Sequence, residues 1–71
     1  MKKLEKYLIK WLAGETVKGI TVTLTTIREC ETIYNELKSG NKPEFINGDV
    51  KTILDKCGIK TVEKGIGWKV V

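Results

Sequence analysis

Apolar residues recur at helical spacing over residues 2–13, where Leu4, Leu8, Trp11 and Leu12 share one face and Tyr7 flanks it. Lys3, Lys6 and Lys10 occupy the other side, so the predicted helix is amphipathic. Gly14 supplies the left-handed residue that ends it. Over residues 19–25 the period drops to two. Ile20, Val22 and Leu24 point one way and Thr21, Thr23 and Thr25 the other, which predicts a half-buried strand. Thr26-Ile27-Arg28-Glu29 then matches a capping box, in which the Thr hydroxyl and Glu carboxylate take up free amides at a helix start. Ile27, Cys30, Tyr34 and Leu37 continue along one face of this second helix, with Ile33 at the flank. Ser39-Gly40-Asn41 closes it, and Pro43 confirms the stop.

Residues 41–46 read as a connector whose Phe45 and Ile46 are expected to tuck against the core. Asn47 is placed to cap a third helix, and Asp49 suits the positive end of that helix's dipole. Val50, Ile53, Leu54 and Cys57 follow the i, i+3, i+4, i+7 pattern, and Gly58-Ile59 forms a Schellman ending. Residues 60–71 predict a hairpin. Val62 is expected to face inward on its first arm, Trp68 and Val70 on its second, around a two-residue II′ turn at Gly65-Ile66. The expected architecture is one α+β domain over residues 1–71, in the order α-β-α-α-β-β, with residues 20–24 joining the hairpin as a third strand.

Composition narrows the chemistry. The chain has 71 residues and a formal charge of +4, with no histidine and two cysteines. A chain this short buries only about 60% of its unfolded surface, so nearly every apolar stripe is needed for one core. No apolar run approaches the roughly 18 residues of a membrane span. Glu5, Lys6 and Lys10 follow closely on Met1-Lys2-Lys3 and interrupt any signal-peptide core, so the expected location is cytoplasmic. Cys30 and Cys57 fall on apolar faces, as reduced structural thiols do. Without histidine there is no Ser-His or Cys-His nucleophile. Ser39, the only serine, lies in a turn, and Gly65-Ile66-Gly67 stops short of a phosphate-binding glycine motif. No C-x-x-C pair offers a zinc site. Neither catalysis nor a cofactor is expected.

Val50-Lys51-Thr52-Ile53-Leu54-Asp55-Lys56-Cys57-Gly58-Ile59, leading into Lys64-Gly65-Ile66-Gly67-Trp68-Lys69-Val70, resembles the recognition helix and wing of the winged helix-turn-helix family. The predicted order of elements is similar to that family over essentially the whole chain. The resemblance implies a third helix in the major groove of double-stranded DNA, with the wing on the backbone or minor groove. Asn47, Lys51, Thr52 and Lys56 would then face the groove, and Lys64 and Lys69 the phosphates. The implied function is a small non-enzymatic binding module, a DNA-binding or transcription-associated regulator. Pairing of two copies through the N-terminal helix or an open strand edge would double its base contacts.

The rival expectation is a protein-binding adaptor or inhibitor of the phage or mobile-element type, on the same scaffold but without DNA. Lys51 and Lys56 are balanced by Asp49 and Asp55 on the third helix. Arg28 is the only arginine and glutamine is absent, which removes side chains suited to bidentate base contacts. On this reading Lys3, Lys6, Lys10 and the apolar tip residue Ile66 are the candidate interface. The lysine face also reads as the plain solvated side of a core helix. A membrane surface is not an expected partner, because Leu4, Leu8 and Trp11 are required in the core. Ile66 is expected to fold back onto Trp68.

Overall fold

The computed structural model describes residues Met1–Val71 and has the α+β architecture expected of the chain. Three helices, α1 (Lys2–Leu12), α2 (Leu24–Lys38) and α3 (Gly48–Lys56), precede a hairpin of β1 (Thr61–Lys64) and β2 (Gly67–Val70). No helix is long and apolar enough to cross a membrane. Leu4, Leu8 and Trp11 of α1 meet Cys30 and Ile33 of α2 and Val50, Ile53 and Leu54 of α3, closed by Val17, Ile46 and Val70. Each helix ends as its glycine predicts. At α3, Gly58 adopts φ 76° and its N–H donates to the Asp55 carbonyl, while Ile59 N–H donates to Leu54.

The strand expected at residues 20–24 does not form, so the order is α-α-α-β-β. Thr23 is the N-cap of α2, its hydroxyl accepting from Thr26 N–H at 3.2 Å, and the helix starts at Leu24. The cap thus lies three residues before the Thr26-to-Glu29 box, and Leu24 is exposed. A strand also needs a ladder partner, and the free edge of β2 is already occupied. Ile46 N–H donates to Trp68, Trp68 N–H returns to Ile46, both at 2.8 Å, and Val70 N–H donates to Pro43 at 3.0 Å. Residues 43–46 therefore flank β2 in place of residues 20–24. Ile20 and Val22 still pack on the core, but from a loop.

The hairpin register also differs from the expected one. The two-residue turn pairs Lys64 with Gly67, which places Val62 opposite Lys69 and Thr61 opposite Val70. Directly opposed residues share a face, so Val62 lies on the side away from Trp68 and Val70 and is exposed. Gly65 has φ 60° and Ile66 does not have positive φ, as a II′ turn requires. Ile66 is 98% exposed and does not fold back onto Trp68. Leu12 likewise lies outside the core, as the last residue of α1. Ile46 is buried as expected, whereas Phe45 is exposed.

Both cysteines are free thiols. Burial pushes the Cys30 thiol from 9.0 up to about 11, with Cys57 and Glu29 adding to the shift. The folded state thus favours the neutral thiol, a contribution complete below pH 9 and lost as pH rises from 9 towards 11. The urea midpoint should fall over that interval, and Cys30→Ala should flatten the fall while lowering the plateau. A thiol reagent should modify the half-buried Cys57 before the fully buried Cys30.

Candidate functional site

The outer face of α3 exists because Val50, Ile53 and Leu54 hold its inner face against the core. Asn47 caps this helix: its Oδ1 accepts from Val50 N–H at 3.0 Å. Its Nδ2 donates to Glu29 Oε2 of α2 at 2.8 Å, so both ends of the amide are engaged. Thr52 Oγ1 donates back to the Gly48 carbonyl at 2.9 Å. Lys51 pairs with Asp55 at 2.6 Å and stands 5.9 Å from the centre of the Trp68 ring. Lys56 makes no ion pair, and with Thr52 it lines a shallow cleft of about 290 Å³ facing Thr21 and Thr23.

On the hairpin, Lys64 pairs with Glu44 at 2.7 Å. That hydrogen bond holds the Glu44 carboxyl below its usual range, and the charge of Lys69 assists. Lys64 thus faces a carboxylate, and Lys69 makes no ion pair. On α1 the situation is reversed. Glu5, its one acid, accepts a hydrogen bond from the Tyr34 hydroxyl at 2.9 Å, and Lys3, Lys6 and Lys10 stay exposed and unpaired. Burial raises the Cys57 thiol, and the charges of Lys3 and the amino terminus partly offset it. Ile66 stands alone at the hairpin tip.

One feature was not visible in the residue pattern. Residues 43–47 pass alongside α2 and enclose with it a cleft of about 400 Å³. Ile33, Ile46 and Val50 form its floor; Glu29, Glu36, Glu44 and Arg28 lie at its rim. Phe45 adopts φ 61°, the only non-glycine residue with positive φ, and is 72% exposed. A bulky side chain there is strained by about 1–3 kcal/mol, and such residues cluster at functional positions. The conformation is imposed by its neighbours. Val70 bonds to Pro43 rather than to Glu44, so an extra residue bulges out of the pairing with β2 and turns the ring to solvent. The only sequence signal was an aromatic residue in a short proline-containing connector.

Comparison of the chain with family models, curated proteins and solved structures returned no match.

Proposed function

We propose that this chain is a non-enzymatic, cytoplasmic binding module that recognises a protein, acting as an adaptor or inhibitor on a winged-helix-like scaffold. The observation that carries this reading is the internal engagement of the side chains best placed to read DNA. Asn47 and Thr52 spend their polar atoms on α3 and Glu29, and Lys51 and Lys64 face carboxylates. Phosphate-driven affinity grows with the number of uncompensated cations, and this face offers few. Exposed Phe45 and Ile66 are instead the residue types that protein interfaces bury.

A second reading, a DNA-binding or transcription-associated regulator, draws on α1. Its Lys3, Lys6 and Lys10 carry no partner, so duplex DNA would meet this helix rather than α3. Salt separates the two. A protein-binding module should show no duplex binding by fluorescence anisotropy above about 50 mM salt. Affinity that survives there, declines with a log–log slope of about −3 or steeper, and disappears on joint replacement of Lys3, Lys6 and Lys10 by Ala would favour DNA.

A further inference from the structure

The cleft between α2 and residues 43–47 combines three independent features. Its rim sets Glu29 and Glu36 against the single guanidinium of Arg28, beside Glu44, whose charge Lys64 already engages, in a protein whose overall formal charge is +4. Glu36 has no ion-pair partner, and only one oxygen of Glu29 is bonded, to Asn47. The backbone N–H and C=O groups of both Glu44 and Phe45 make no hydrogen bond within the chain, although their neighbours Pro43 and Ile46 bond to β2. Free main-chain groups beside a paired segment are what an added extended chain satisfies. The Phe45 ring is held outward at the same rim in a strained conformation.

We infer that this cleft docks an extended, basic segment of a partner protein. The segment bonds through its main chain to Glu44 and Phe45, sets a Lys or Arg against Glu29 and Glu36, and lays an apolar side chain on the Phe45 ring. A helix would fit poorly, because its own main-chain groups are already paired and cannot serve Glu44 and Phe45. Nucleic acid would meet like charge at the rim. The volume suits a few side chains of a peptide rather than a folded domain. This inference rests on the protein-binding reading above and names the site and the chemistry of its partner.

The test uses the full 15N-labelled chain, titrated with a capped peptide of alternating lysine and serine carrying one central leucine. A second peptide replaces every lysine by glutamate. The basic peptide should shift the amides of Glu29, Glu36, Glu44 and Phe45 with an affinity near the millimolar range, and the acidic one should not. Glu36→Lys should weaken binding roughly tenfold. Phe45→Gly should weaken it as much while leaving the melting temperature equal or higher, because glycine accepts φ 61° without strain. No saturation by about 5 mM peptide, equal binding of both peptides, or two variants with parental affinity would overturn the inference. Shifts confined to the hairpin tip and abolished by Ile66→Asp would overturn the cleft and leave the protein-binding module standing. Salt-sensitive binding of a duplex of about 20 base pairs, with no peptide bound, would overturn both.

Discussion

Leu54→Ala should remove a large part of this protein's folding stability. Leu54 is 0% exposed, on the face of α3 that meets the other two helices' core residues. Truncating a buried leucine removes its transfer free energy and leaves a cavity, together about 2–5 kcal/mol. A chain of this length has a total stability of roughly 4–10 kcal/mol, so the loss consumes a large part of it. The melting temperature should fall by at least about 8 °C, at about 4–8 °C per kcal/mol for a domain of this size. Leu12→Ala is the informative contrast. The apolar pattern puts Leu12 on the same stripe as Leu4 and Leu8, but it is 62% exposed. Its replacement should cost no more than about 0.5 kcal/mol. Urea unfolding followed by circular dichroism measures both, and equal costs would mean that α1 is rotated from the orientation described.

Gly67→Ala should be nearly as damaging, for a different reason. A Cβ at position 67 would lie 2.7 Å from the Ile46 carbonyl oxygen and 3.3 Å from the Phe45 carbonyl carbon. Both are backbone atoms, so no side chain can swing aside. The same Ile46 oxygen accepts the Trp68 N–H, and moving it breaks the reciprocal pair that attaches residues 43–46 to β2. Overpacking of about 1–3 kcal/mol adds to two hydrogen bonds worth about 1 kcal/mol each. The expected loss is about 3–5 kcal/mol on the same grounds. Hydrogen exchange should accelerate at the Ile46 and Trp68 amides ahead of those in α1. Gly48→Ala serves as the control, since its Cβ would meet only the Trp68 ring at 3.8 Å, an ordinary contact.

The sites of these two predictions were not equally legible. Leu54 was readable from spacing alone, as were Leu4, Leu8, Trp11, Val50 and Ile53, because a helix returns to the same face every 3.6 residues whatever packs against it. The helix ends at Gly14, Gly40 and Gly58 were readable for a related reason: each is settled by hydrogen bonds within a few residues. The II′ turn was readable too. The register that follows from it turns Val62 outward, opposite to its expected side, because pairing Lys64 with Gly67 across a two-residue loop dictates it.

Gly67 and Phe45 belong to the other class. Which segment lies beside β2 is a competition between residues 20–24 and residues 43–46, and alternating threonines express only a local preference for extended backbone. Thr23 gave its hydroxyl to the start of α2, and Ile46 took the edge of β2. The candidate site followed the same division. That Asn47, Lys51, Thr52 and Lys64 carry polar heads was plain in the sequence. The partners of Lys51 and Thr52 lie within one helical turn, but the engagement of Asn47 and Lys64 was not legible, because Glu29 reaches Asn47 across 18 residues and Glu44 reaches Lys64 across 20. The sequence by itself determined the helices, their C-terminal ends and the hairpin turn, whose forces act within one turn of backbone. The tertiary structure alone decided the third segment beside β2, the strained Phe45 and the charge left free at the surface. Each of those depends on which distant group arrives first at a limited number of hydrogen-bonding partners.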